Sequence, residues 1–433
     1  MNIDYEIGNL IEKLRAEYKI PGYMYSNYDN FIPGVTPVYY SGPYFDDKEV
    51  IASVKAMLIG KWMSAGENVT EFEKAFSRKT KNLFSCMVNS GSSANLIMMA
   101  SLKKYFDWKD GDEIIVSVAG FPTTTSVIAQ NGLTPVFVDI EFETLNFDLS
   151  LIEKKITNKT KAIILSPVLG NPPNIARLLG ICEKHNLKLI LDNCDSLGSK
   201  WSGKYLNEYA IASSCSFYAA HELCTFEGGM VSTNERGIIN IAKSLVSWGR
   251  DCVCSGIENL LPNGICNHRF DKWLEGYDGI IDHKYVFGNM GYNLKPIDVS
   301  GAVGLVQLEK LDEICEKRNR SRKKISDIFR SYLDVSVPYK FDLAETVWFG
   351  TPIICEKKEQ KKEFVSYLEK NKIQTRNYFA GNLLLHPGYK HLGNYREYPN
   401  ATELYDTVFF LGASPSYTED VFDYVKKVVK KHG

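Results

Sequence analysis

The chain has 433 residues and a formal net charge of −1, from 51 basic and 52 acidic side chains. The length suggests two or three domains, or one large domain with a smaller one appended. An apolar share of 44% and a charged share of 24% are ordinary for a soluble globular protein. No basic block points to nucleic acid, and there is no acidic tail. The run Met1-Asn2-Ile3-Asp4-Tyr5-Glu6 lacks a basic region followed by an apolar one, so no signal peptide is expected. No stretch of about 20 apolar residues is available to span a membrane, and a cytoplasmic location is expected. In a reducing compartment the ten cysteines read as buried hydrophobes or metal ligands rather than as a disulfide framework.

In chain order, a helix is predicted over Ile7–Tyr18. An aromatic-rich extended arm follows from Tyr23 to Pro33, of a kind that often wraps a partner subunit. Helices are predicted over Asp46–Ile59 and Val69–Lys79. Phe84–Val88 is a short apolar strand that runs into Asn89-Ser90-Gly91-Ser92-Ser93-Ala94-Asn95 and then an apolar helix. A strand, a small-residue turn and a helix start aim bare N–H groups and a dipole at an anion. Ser92 and Ser93 are the candidate phosphate contacts, and an ordinary capped helix is the plainer alternative. The strand Glu113–Val118 leads to Phe121. An aromatic there either lies over a flat ring or joins the core. Further strands are predicted over Pro135–Asp139, Ala162–Pro167 and Lys188–Asp192, with helices over Asp148–Lys155 and Ile175–His185 between them. The alternation predicts a parallel sheet covered on both faces, with ligands at the carboxyl ends of its strands. Asp192 ends such a strand. It either pairs with a protonated ring nitrogen or caps a turn.

The stretch from Ser216 to Gly229 reads as a strand end, a tight polar turn and a second strand opened by Glu227-Gly228-Gly229. His221 sits in the turn, and no lysine lies between Lys204 and Lys243. A lone histidine in such a loop is commonly just packed; its neutral imidazole also suits a base. Cys194 precedes Cys252 by 57 residues, one residue separates Cys252 from Cys254, and eleven separate Cys254 from Cys266. Four thiolates suit a [2Fe–2S] cluster or a structural zinc ion. Cys194 is two residues beyond Asp192, about 7 Å along an extended chain. A metal centre there would adjoin a bound ring, a place that suits an electron carrier better than a structural ion. Beyond it, Asp298–Leu311 is helix-like, and a long helix over about 305–332 leads into a smaller carboxyl-terminal unit. That unit holds a strand over Trp348–Ile354 and a helix over Lys361–Asn371. The expected division is an arm at 1–35, a large cofactor-binding domain at 36–313 and a small domain at 314–433.

The Ser216–Gly229 stretch resembles the lysine loop of the sugar aminotransferases of the DegT/DnrJ/EryC1/StrS family, which use pyridoxal 5′-phosphate (PLP). Their pattern is Ser-Phe-(aromatic)-x-x-Lys with Gly-Glu-Gly-Gly a few residues on, and His221 stands at the lysine position. Asp192-Asn193-Cys194-Asp195, Trp248-Gly249-Arg250-Asp251-Cys252 and the run from Thr375 to Leu383 extend the likeness. Over nearly its whole length the chain resembles the iron–sulfur, pyridoxamine phosphate (PMP)-dependent nucleotide-sugar 3-dehydrases, typified by the CDP-4-dehydro-6-deoxyglucose 3-dehydrases.

The resemblance implies an α/β fold of the type I PLP-dependent aminotransferases. A large domain would hold a mainly parallel sheet flanked by helices, followed by a smaller α+β domain. It implies PMP held without a lysine tether and His221 as base. Ser92, Ser93, Phe121, Asp192, Asp195 and Ser216 would contact the cofactor. Asn293 would reach the cofactor phosphate of the other subunit in a homodimer with shared sites; capping the next helix is the alternative. Cys194, Cys252, Cys254 and Cys266 would hold a [2Fe–2S] cluster, and Arg376, Asn382 and His386 would close over the sugar. The implied reaction is C3 dehydration and deoxygenation of a nucleotide-linked 4-keto-6-deoxyhexose, in 3,6-dideoxysugar synthesis for lipopolysaccharide O-antigens. A flavin and iron–sulfur reductase, or a ferredoxin, would supply electrons. Two departures stand out. The last cysteine gap is longer than in the family, and the loop reads Ala219-Ala220-His221-Glu222 where the family tends to have Pro before Ala-His-His. Three rivals remain: a cluster-free dehydrase regenerated by glutamate, an aminotransferase with a displaced lysine, and a binding protein without catalysis.

Overall fold

The computed structural model describes residues 3–18, 28–252, 266, 269–271 and 274–432. Its large sheet is built from β1 (Phe84–Val88), β2 (Glu113–Ser117), β3 (Thr134–Val138), β4 (Thr160–Leu165) and β5 (Lys188–Asp192), completed further along the chain. Two short strands, β6 (Lys200–Trp201) and β7 (Lys204–Tyr205), leave it before β8 (Ala212–Ser216) and β9 (Gly229–Thr233) return to it. The strand order is β1-β9-β8-β5-β4-β2-β3. Every neighbouring pair from β8 to β3 is parallel, and β9 alone runs against the others. Strands β2 to β5 carry apolar runs because both faces are covered, as a parallel sheet requires. Helices Gly91–Tyr105, Pro122–Gln130 and Arg236–Val246 pack into one core cluster, and Ile175–Lys184 into another. This is the mainly parallel, doubly covered sheet expected from the alternation of strands and helices.

A second sheet is formed by β10 (Val335–Ser336), β12 (Gly350–Cys355), β13 (Thr375–Asn377) and β14 (Val408–Gly412), while β11 (Ala344–Glu345) joins β6 and β7. The second sheet is antiparallel throughout, in the order β10-β12-β14-β13. Tyr28, Phe31 and Val38 bury themselves in its core, and Val38 bridges to Ile373. Tyr28 and Phe31 of the arm therefore pack on the chain's own second sheet.

The long helix expected over about 305–332 is two helices, Asp298–Glu309 and Leu311–Tyr332, with a corner at Lys310. The corner is held by Lys310 Nζ, 2.9 Å from Asp46 and 2.7 Å from Glu49. The same two acidic residues form the capping box that starts the helix Asp47–Ile59. Among the described residues no helix is long and apolar enough to cross a membrane.

Under the His221 turn, Phe217 is fully buried against Phe72 and Phe76, at ring separations of 5.4 and 5.6 Å. Phe72→Ala should cost about 3–5 kcal/mol, because the cavity cannot refill between two rigid layers. The check is a lowered denaturant midpoint of the first unfolding transition.

Candidate active site

The carboxyl ends of five parallel-running strands open into one cavity of about 750 Å³. After β1 it is lined by Ser90, Gly91 and Ser92; after β2 by Phe121; after β4 by Ser166; after β5 by Asp192, Cys194 and Asp195; after β8 by Ser216 and His221. The opposite wall comes from the second sheet and its loops, with Phe349, Arg376, Phe379 and His386, and from Tyr40.

The floor is built around Asp192, which is 3% exposed. Its Oδ2 accepts from Asn95 Nδ2 at 2.8 Å and Thr124 Oγ1 at 2.6 Å. Its Oδ1 accepts from the Cys194 N–H at 3.2 Å. Asn95 is oriented in turn by Ser214 Oγ, which donates to its Oδ1 at 2.6 Å. A buried carboxyl group held this way is fixed in direction. Neither Asn95 nor Thr124 stood out in the sequence. The only signal was their place on the first turns of helices that follow strands.

At one end of the cavity, the helix Gly91–Tyr105 begins with Ser90 as its cap, accepting from Ser93 N at 3.1 Å. Ser93 is thus tied into the cap and does not line the cavity, whereas Ser92 does. A Cβ on Gly91 would stand 2.4 Å from Ser216 Cβ, and one on Gly229 2.3 Å from the Ser90 carbonyl oxygen. The absent side chains keep this helix end open and close to β8, as an anion cradle needs. Phe121, half exposed, stands over the cavity with its ring edge-on to Phe379 at 6.2 Å.

His221 Nδ1 is buried, 3.4 Å from Asp195 Oδ1, and makes no well-formed hydrogen bond. Burial, and then the Arg318 guanidinium, lower the His221 pKa to about 3; the Cys194 backbone works weakly the other way. Burial, then Glu222 and Asp192, push the Asp195 carboxyl well up. The His221–Asp195 contact is therefore between groups that both favour their neutral forms, not an ion pair. Arg318 is fully buried and donates to the carbonyl oxygens of Phe349 (3.2 Å), Ala220 (2.6 Å) and His221 (2.7 Å). Glu222 lies beside it, 1% exposed. Nothing in the local sequence flagged Arg318, which belongs to a helix nearly 100 residues downstream of the loop.

The remaining candidates divide. Arg376 lines the cavity, its guanidinium 4.0 Å from the centre of the Tyr40 ring. His386 lines it too, with Nε2 2.8 Å from the Ala380 carbonyl oxygen. Asn382 does not. It is fully buried and donates to Tyr395 O, Tyr398 O and Thr402 Oγ1 while accepting from Leu384 N. Its side chain is spent on holding a loop. Asn293 is exposed, outside this cavity, and accepts from Lys295 Nζ at 2.6 Å. It does not cap the next helix, whose cap position is Ile297.

The geometry fits a flat ring ending in a phosphate. There is an open helix end for the anion, a fixed buried carboxyl at the far side and an aromatic above. Of the four cysteines expected to hold a metal centre, three fall among the described residues. Cys194 lines the cavity, Cys252 is half-buried, and Cys266 Sγ lies 3.7 Å from His283 Nε2. Cys254 lies outside the described residues. Among the described residues no three His, Cys, Asp or Glu side chains gather to hold a metal ion. Burial, then Asp192, pushes the Cys194 thiol well up, so without a cation beside it the sulfur stays protonated.

Sheet, cavity and fixed carboxyl define an α/β enzyme of the PLP-dependent aminotransferase type. Residues 45–430 match the DegT/DnrJ/EryC1/StrS aminotransferase family, and the chain belongs to it. It is 36% identical to the lipopolysaccharide biosynthesis protein RfbH of Salmonella typhimurium, over 91% of each chain. It is 35% identical to the dTDP-4-dehydro-2,6-dideoxy-D-glucose 3-dehydratase of Saccharopolyspora spinosa, over 91% of this chain and 86% of that one. The E. coli GDP-4-keto-6-deoxy-D-mannose-3-dehydratase with bound hydrated PLP superposes with a TM-score of 0.80 at 28% identity, covering 91% of this chain and 99% of that one.

Thr124→Val removes one donor to a buried carboxyl and should cost about 1–3 kcal/mol. Equilibrium denaturation measures it, and Asn95→Ala should behave alike.

Proposed function

We propose that the protein is a PMP-dependent nucleotide-sugar 3-dehydrase acting on a nucleotide-linked 4-keto-6-deoxyhexose. The carrying observation is a neutral, buried histidine at the lysine position of the family loop, facing a cavity built for the cofactor. The names of the relatives, which include two sugar 3-dehydratases with different nucleotides, support the reaction class. The finer substrate, a CDP-linked sugar bound for a 3,6-dideoxysugar, is proposed from the sequence resemblance.

PMP, when bound, supplies an amine for the sugar ketone and a ring that accepts electrons. Asp192 would hold the ring nitrogen protonated, Ser92 and Ser216 would face the phosphate, and Phe121 would cover the ring. His221 would take a proton at the cofactor's C4′ carbon through Nε2, since Nδ1 faces Asp195. It would give that proton to the sugar's C3 hydroxyl as it leaves, so one water is lost. Arg376 and His386, which both line the cavity, would close over the sugar substrate. The exposed run Met57, Leu58, Ile59, Trp62 and Met63, continued by Ile297, supports a second copy covering this face. In such a dimer Asn293 would reach the partner's phosphate.

A [2Fe–2S] cluster on Cys194, Cys252, Cys254 and Cys266, served by a reductase or ferredoxin, is the finer proposal. The cysteine spacing and the place of Cys194 on the cavity support it, while the described residues bring no set of ligands together. No step is assigned to it. The second reading is a cluster-free dehydrase whose amine is regenerated by glutamate.

His221→Asn should keep PMP bound and slow C4′ hydrogen exchange by on the order of 10²–10⁴. Exchange at the normal rate would remove His221 as the base. Anaerobically purified protein should carry about two irons and two sulfides per chain, read by iron and sulfide analysis. PMP without iron would leave the glutamate-dependent reading in place.

A further inference from the structure

Arg376 is the one permanent cation among the described residues that line the cavity. Among the described residues no carboxylate pairs with it. Its Nη1 donates to the Thr375 carbonyl oxygen at 2.8 Å, and its guanidinium carbon lies 4.0 Å from the centre of the Tyr40 ring. Tyr40 is itself fixed. Its N–H donates to Gln374 Oε1 at 3.3 Å, two residues before Arg376. On one side of it Val38 bridges to Ile373, and on the other Ser41 Oγ donates to the Ala220 carbonyl oxygen at 2.9 Å. Its ring meets Phe410 edge-on at 6.4 Å, and Phe410 is the residue opposite Arg376 in the second sheet. An added Cβ on Gly412 would stand 2.1 Å from the Tyr40 carbonyl oxygen, so the backbone there lies tight against β14.

We propose that Tyr40 is a positioning residue for Arg376: its ring lays the guanidinium flat on the cavity wall, ready for the diphosphate of a nucleotide-linked sugar. This role presupposes the substrate class proposed above. An exposed arginine loses much rotamer freedom when a ligand fixes it. One already laid on an aromatic face has given up part of that freedom beforehand. The ring attracts the cation and shields one of its faces from water. The N–H groups in the guanidinium plane stay free to meet two oxygens at once, a geometry that suits phosphate. The cofactor's phosphate has its own place at the helix end by Ser90 and Ser92, on the other wall. The Arg376 charge is therefore left for a second anion, and a nucleotide-linked sugar brings one.

The test titrates CDP, dTDP and GDP, which share a diphosphate, into the full-length protein in excess PMP, by calorimetry. The tightest of the three for the wild type is carried into the variants. Tyr40→Leu should weaken it about 3- to 30-fold, the range of a cation–π contact. Tyr40→Phe, which keeps the ring, should recover most of that loss. Arg376→Ala should weaken binding at least as much, and adding Tyr40→Leu to it should then cost little more. PMP affinity, read from its near-ultraviolet band, should not change in any of them. Wild-type affinity in Tyr40→Leu, a Tyr40→Phe as weak as Tyr40→Leu, or additive losses in the double variant overturns the role. So does a wild type that binds none of the three. Arg376 is exposed, so Arg376→Ala keeps the test open should Tyr40→Leu not fold. Full-strength nucleotide binding without the guanidinium overturns the role as well. Coupled losses in a protein that dehydrates no nucleotide-linked 4-keto-6-deoxyhexose leave the role standing and remove the dehydrase reading.

Discussion

A guanidinium buried away from water, its hydrogen bonds all given to backbone carbonyls, is the constraint on which the geometry of this site depends. Arg318 comes from the helix that leads to the second sheet. It bonds the turn that carries His221 and the backbone before β12 at once. The two halves of the molecule are thereby held to one geometry at the cavity. Removing a charged donor from three buried acceptors would leave each of them unsatisfied. Moving this residue would release the turn, so the His221 loop and the cavity wall are held as one unit.

The large sheet provides the rest. Parallel strands end on the same side, so five separate turns deliver their side chains to one place. Each turn brings a different chemistry: a helix end for an anion, an aromatic face, a fixed carboxyl, an imidazole. Asp192 keeps its direction because Asn95 and Thr124, from two other strand–helix turns, hold it. The site is thus a property of sheet order, and a fold with the same strands in another order would scatter it.

Much of this could be read in the chain beforehand. Apolar runs of five or six residues alternating with amphipathic helices gave the parallel sheet, because both periodicities follow from burial of two faces. Ser92, Phe121, Asp192, Ser216 and His221 could be nominated because each lies at a strand's carboxyl end. Ser93 could not be told from Ser92, since one hydrogen bond to the Ser90 cap decides between them. Asn382 looked like its neighbours in Thr375–Leu383, yet its hydrogen bonds all turn inward. Local sequence does not say which way a loop side chain points.

By itself, then, the sequence determined the alternation of strands and helices, the exchange of lysine for histidine and the small residues at the helix start. These are local facts, set by residue type and spacing. Tertiary structure alone decided which groups surround His221. Asp195, Glu222 and Arg318 come from three separate segments and are buried together. It also decided that Tyr28 and Phe31 seal the second sheet and that the long helix turns at Lys310. Those outcomes depend on contacts between residues hundreds of positions apart. No window of sequence contains both partners.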